Sequence, residues 1–400
     1  MMIHEINIES NKSPAFELDR FVSSFFSIFS VCSLGVIQLI KFLSIVSITS
    51  ANMMVVAVGV MCLVYVAIKH GMEGPTGRAF MFIIVYTIFG MMSYLYNYNM
   101  DLVELLWPLG YMSIGILLLN EGIPLKTSKI MFLIFSCVLL FDIIRMGDVG
   151  LIAINFSRNM ISEYALLLLC LVFLSSGAQK KGISPLYPIV FAVLCFAAVG
   201  RSGIATSVLC IIVFLFFDFS KGKAKIRGYI VAPLSAAVFG VICYLIYKFM
   251  PEIINMAFLN IETRGLESQR HQLWLDYLSK ISENFMDFLL GAEISGTYLL
   301  DHYKENLHNS FLMLHAKYGL VMFISVIFMI GNAIRLGIKT KNIHLLLVIA
   351  LILFRMNFDY TNFNDCLDCV LIYVLFYNDF LQEKQRFKII KLMNEGKNEF

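Results

Sequence analysis

RNMISEYALLLLCLVFLSSGAQKK, Arg158 to Lys181, decides the fold. Between Arg158 and the pair Lys180-Lys181 lies an apolar run of about twenty residues, the length a helix needs to cross the hydrocarbon core of a bilayer. Glu163 is the one charge inside it. Lysine and arginine collect on the cytoplasmic side of membrane proteins, so the lysine pair marks the inner end of the span. Arg158 then stands at the outer end, against the rule.

The same grammar runs along the chain. Its 400 residues are 59% hydrophobic and only 15% charged, with a mean hydropathy of +0.79, whereas a soluble domain carries about a quarter charged residues. The reading is an all-α polytopic membrane protein of twelve spans, at 21–40, 51–68, 79–96, 102–120, 129–146, 159–178, 184–200, 202–219, 228–249, 308–334, 342–357 and 366–381. Strands of a β-barrel would alternate apolar and polar residues over about ten positions, and no such pattern is present. Lys12, Arg20, Lys69, Arg78, Lys126, Lys129, the 221–227 cluster, Arg335 to Lys341 and the tail all fall on one side, which predicts both termini in the cytoplasm. The first twenty residues are polar and the first apolar run is long, so no cleavable signal peptide is expected.

Residues 1–250 are thus expected to form nine spans, 251–307 one large periplasmic loop, and 308–400 three spans and a cytoplasmic tail. The loop is too rich in aromatic residues for disorder and too long for a simple connection. Within it SQRHQLWLDYLSKI has helical period: Leu273, Tyr277 and Ile281 share one face, with Arg270 and Trp274 a turn apart on another.

Outward-facing positive residues are mostly arginines: Arg145, Arg158, Arg201, Arg264, Arg270 and Arg355. A guanidinium matches phosphate oxygens two at a time, which an ammonium does not, so this array points to an anionic ligand. The competing reading is pairing with Asp142, Asp148, Glu267 or Asp359. Seven of the nine cysteines lie in apolar runs as small hydrophobes; Cys366 and Cys369 form a CxxC at the outer end of the last span, where a metal site would need partners and a redox pair a soluble neighbouring fold.

Four outward patterns remain: Arg158-Asn159 opening a span, GRSG around Arg201 between two spans, Arg270-x-x-x-Trp274 in the loop, and LHNSFL…YG from Leu307 to Gly319. In this order they resemble the O-antigen polymerase and O-antigen ligase superfamily (Wzy/WaaL type), its polymerases more closely than its ligases. The resemblance covers most of the chain. It implies a metal-independent glycosyltransferase in the bacterial inner membrane, acting at the periplasmic face without a cofactor on undecaprenyl-pyrophosphate-linked oligosaccharides. Membrane lipids and a chain-length regulator protein are the partners implied; nucleic acid is not.

The residues fit such chemistry. Breaking a glycosyl–diphosphate bond leaves charge on the departing group, which fixed guanidinium groups stabilise. Arg201 and Arg270 are expected in that role, with Arg158 and Arg264 in support. His308 has the ordinary pKa range of a general base for the attacking sugar hydroxyl. Asn309 is expected to orient the sugar or the helix end, Trp274 to offer a flat face to a sugar ring or to anchor the loop, and His315 to pack or to support the site from behind. The alternatives are an O-antigen ligase, which hands the glycan to lipid A–core, and a transporter of lipid-linked glycan. A transporter calls for mid-membrane charges and an internal repeat, and the sequence carries its polar motifs on one side instead.

Overall fold

The computed structural model describes residues 14–146, 157–220, 270–302 and 306–395. The described residues contain helices and no strands. Among the described residues six helices are long and apolar enough to cross a membrane: Glu17–Phe42, Ile48–His70, Gly74–Asn97, Leu125–Arg145, Arg158–Ala178 and Ser310–Lys339. Four more expected spans fall on shorter helices, Leu106–Glu121, Leu186–Ala197, Arg201–Ser220 and Ile343–Phe358, and the last on Asp368–Glu395. The expected span 228–249, with Cys243, lies outside the described residues.

In chain order these helices are α1 (Pro14–Phe42), α2 (Ile48–His70), α3 (Gly74–Asn97), α4 (Leu106–Glu121), α5 (Leu125–Met146), α6 (Arg158–Ala178), α7 (Leu186–Ala197) and α8 (Arg201–Ser220). The loop region adds α9 (Arg270–Glu283), α10 (Phe285–Leu290) and α11 (Tyr298–His302); α12 (Ser310–Lys339), α13 (Ile343–Phe358) and α14 (Asp368–Glu395) follow.

The quoted stretch is the axis of the bundle. Every residue of α6 from Ile161 to Ser176 is buried, because α5, α7, α8 and α13 pack around it; a helix apolar on all sides needs such a jacket. Ser157 caps its start, accepting from the Asn159 N–H at 3.3 Å. By contrast α2 and α3 leave Val60, Met61, Val64, Ile68, Met81 and Ile88 exposed on their outer faces, where lipid tails satisfy them.

Periodicity predicts one straight span from His308 onward, and here the chain departs from it. α12 breaks at Gly319, whose φ of 76° and ψ of 177° belong to no helix. Glycine is required there, since a Cβ would sit 2.6 Å from the Leu289 carbonyl. The break lets α10 press against α12 from the side. Carbonyls in the turn before such a break lose their helical partners; that of Ala316 accepts instead from Ser93 Oγ, Asn97 Nδ2 and Asn99 Nδ2 at 3.2, 3.0 and 2.9 Å. The part of α12 beyond Gly319 still spans roughly 30 Å at 1.5 Å per residue, enough to cross a bilayer alone. The part before it is a separate short helix whose start carries His308 and Asn309.

The loop helices rest on this short piece. Leu273 and Tyr277 are buried and Ile281 packs beside them, the face that the sequence predicts, in a small core with Ala292, Leu300, Leu307 and Met313. His315 ties that core together: its Nε2 lies 2.8 Å from the Phe288 carbonyl and its Nδ1 2.7 Å from the Tyr277 hydroxyl. A carbonyl only accepts, so Nε2 carries the proton and Nδ1 accepts from the tyrosine. His315 is thus a packing residue, as expected.

Candidate functional site: an arginine-lined carboxylate

Five separate segments meet at one end of the bundle, and Asp359 is where they meet. It directly follows α13, is 5% exposed, and has extended backbone. Its Oδ1 has Asn159 Nδ2 at 3.3 Å, Arg270 Nη2 at 3.5 Å and His308 Nδ1 at 3.7 Å. Its Oδ2 accepts from Ser202 Oγ at 2.5 Å and pairs with Arg355 Nη2 at 3.2 Å. Burial pushes the carboxyl up, but Arg355, His308, Arg270 and Ser202 outweigh it and hold the group at about 2.

Local sequence explains how each donor arrives. Asn159 is in the first turn of α6, and the GRSG turn is seated on it: a Cβ on Gly200 would lie 2.7 Å from Asn159 Oδ1, and one on Gly203 2.6 Å from Ser162 Oγ. Only glycines let α8 begin so close to α6, which brings Ser202 to the carboxylate. Arg270 is the first residue of α9 and also donates from Nη1 to the Phe358 carbonyl. Trp274, one turn on and half-buried, donates its Nε1–H to the Leu307 carbonyl at 2.8 Å, fastening α9 to the segment that presents His308.

His308 itself has a φ of 49°, a left-handed conformation that costs a non-glycine residue of order 1 kcal/mol. Its N–H donates to Asn306 Oδ1 at 2.8 Å. Its ring, 24% exposed, lies at ion-pair rather than hydrogen-bond distance from Asp359. Asn309 caps α12, accepting from the N–H groups of Phe311 and Leu312 at 2.9 and 3.1 Å, while its Nδ2 donates to the Asn357 carbonyl at 3.3 Å. Ser310 Oγ donates to the Asp359 carbonyl at 2.9 Å.

Thus Arg270 and His308 come together as the sequence suggests, and the Arg158-Asn159 and GRSG motifs join them through Asn159 and Ser202. Arg158 and Arg201 are half-buried, each the first residue of its helix. Arg264 lies outside the described residues. Arg145 pairs with Asp142 at 2.8 Å on the exposed end of α5, the competing reading of that residue.

Sequence reasoning missed the centre. Asp359 stood only as one pairing partner among several, and Ser202 was not singled out. The available signal was Arg355 and Asp359 at i, i+4 beside the end of a span. Arg355 is 1% exposed; Nη2 donates to the Asn159 carbonyl at 2.9 Å, while Nε and Nη1 have no partner among the described residues. Two long helices, α6 and α8, and the short first part of α12 also begin at this place, each adding partial positive charge, which the C-terminal end of α13 partly offsets. Two guanidinium groups and these helix starts around one carboxylate leave a seat of net positive charge, suited to phosphate-type oxygens.

A second ionisable group lies nearby. Glu163, Asp365 and Cys366 bring ligand-type atoms within 4.8 Å of one another, and burial raises the Asp365 carboxyl, with Lys41 opposing. Lys41, buried on α1, donates to Tyr111 Oη at 2.7 Å; its charge offsets a carboxylate there as a bound cation would. An apolar crevice between α12, α13 and α14, lined by Ile330, Ile349 and Val374 among others, shares no residue with either cluster.

Compared with protein-family models, curated proteins and solved structures, the chain finds no match.

Proposed function

We propose that the protein is an O-antigen or related surface-polysaccharide polymerase, a metal-independent glycosyltransferase that moves an undecaprenyl-pyrophosphate-linked glycan onto a lipid-linked repeat unit. The observation that carries this reading is the convergence of Arg270, His308, the Arg158-Asn159 turn and the GRSG turn on one buried carboxylate. Motifs separated by more than a hundred residues meet in one seat, and that seat is cationic.

The chemistry follows from the side chains. The acceptor hydroxyl oxygen attacks the anomeric carbon of the donor glycan as the bond from that carbon to the diphosphate oxygen breaks. The electron pair leaves with the diphosphate, where Arg270, Arg201 and Arg355 meet the growing charge. His308 takes the hydroxyl proton. Before the donor binds, Asp359 balances the guanidinium groups and holds the imidazole near them. In this reading the chain crosses the inner membrane twelve times with both termini in the cytoplasm, and the site faces the periplasm.

The test is genetic. Expressed in hosts lacking either their polymerase or their ligase, the protein is expected to restore long chains in the first and nothing in the second. His308→Ala, Arg201→Ala and Arg270→Ala should each abolish long chains while the protein still accumulates. Repair of the ligase defect alone would reverse the assignment.

A further inference from the structure

Asp359 occupies its seat loosely. Four of its five side-chain contacts run from 3.2 to 3.7 Å, longer than the roughly 2.9 Å typical of such bonds, more so where charge assists. Only Ser202 approaches closely, at 2.5 Å. Five segments surround two oxygens, and the donors exceed what these oxygens can accept at good geometry. Arg355, 1% exposed, keeps Nε and Nη1 without a partner among the described residues, a costly state for a buried guanidinium. A seat with surplus donors, long contacts and two guanidinium groups is more positive than one carboxylate offsets.

We infer that the Asp359 carboxylate is a resident stand-in for a diphosphate-class anion, and that binding of that anion drives Asp359 out of the seat. The side chain is able to leave. Asp359 lies beyond the last turn of α13 in extended backbone, anchored by its own N–H to the Arg355 carbonyl at 3.1 Å and by Ser310 Oγ on its carbonyl. A diphosphate esterified at both ends still offers four non-bridging oxygens where the carboxylate offers two, which brings Arg270, Arg355 and Ser202 into shorter contact. In the empty site the carboxylate thereby offsets part of the positive charge and competes with stray anions. The inference rests on the reading above for the physiological ligand, a lipid diphosphate, but the seat itself is tested with a simpler one.

The experiment titrates inorganic pyrophosphate into the purified, detergent-solubilised full chain by calorimetry. Asp359→Asn removes the competing charge, keeps the side chain's shape, and is expected to tighten pyrophosphate binding by about tenfold or more. Adding Arg270→Ala to it should remove the gain. Unchanged or weaker binding in a monodisperse Asp359→Asn protein overturns the inference and makes Asp359 a fixed part of the seat. If that variant fails to fold, the wild type decides: pyrophosphate should speed hydrogen exchange at the amides of residues 359–363, and slower or unchanged exchange there sinks the idea. Tight pyrophosphate binding in Asp359→Asn together with failed complementation would discard the polymerase reading and leave this inference standing.

Discussion

Gly319→Ala probes the one backbone feature on which the site's position depends. The residue's φ of 76° with ψ of 177° lies in a region open essentially to glycine alone, so alanine costs about 1–3 kcal/mol before any contact is counted. Its Cβ would then stand 2.6 Å from the Leu289 carbonyl and 3.2 Å from Leu290 Cα. Both are backbone atoms that cannot rotate away, so α10 must shift, which adds about 1–3 kcal/mol of overpacking. The expected loss is roughly 2–6 kcal/mol, read as a lowered unfolding midpoint in detergent. Because α10 and the start of α12 are joined through His315 and the Ala316 carbonyl, polymer length should fall as well. Gly331→Ala is the internal control. Nothing lies within 4 Å of its Cβ and it sits on an exposed helix face, so it should be neutral or stabilising by up to about 1 kcal/mol. Equal midpoints for the two variants would refute the strained-break argument.

Acid should act through Asp359. Its native carboxyl is held at about 2, below the unfolded value near 4, so its contribution is fully present above about pH 5 and is lost as pH falls toward 2, on the order of 2 kcal/mol in all. Wild type and Asp359→Asn should therefore differ in unfolding midpoint by a constant amount above pH 5 and converge below it; a gap that stays constant down to pH 2 would contradict the charge assignment. Trp274→Phe keeps an aromatic ring but loses the pyrrole half with its Nε1–H bond to the Leu307 carbonyl, and should cost about 1 kcal/mol or more while shortening chains through a displaced His308; normal chain length in the variant would mean that this bond does not position the histidine. Asn309→Ala removes the cap of α12 and is expected to lower stability by about 1 kcal/mol, with an unchanged midpoint as the contrary result.

Much of this architecture is legible from the sequence, because span length and charge placement are blunt physical requirements. The lysine pair after Ala178 and the uninterrupted apolar run before it leave α6 no other form. The helical period around Leu273, Tyr277 and Ile281 likewise announces a half-buried loop helix. What escapes is long-range. Lys317-Tyr318-Gly319 reads locally as ordinary helix, since one glycine is tolerated in a helix; the positive φ is imposed by α10, which arrives from elsewhere in the chain. Asp359 reads as a counter-ion because its neighbours in sequence include Arg355, while its other four partners come from α6, α8, α9 and the turn before α12. Arginines announce a cationic region well, but the carboxylate at its centre becomes visible only when the segments are assembled.

The most direct measurement supplies the purified protein with an undecaprenyl-diphosphate-linked oligosaccharide and follows released undecaprenyl diphosphate against glycan length. A polymerase should release one lipid diphosphate per linkage formed, with both signals lost in Arg270→Ala and His308→Ala. No release by the wild type, or undiminished release by those two variants, would contradict the polymerase reading.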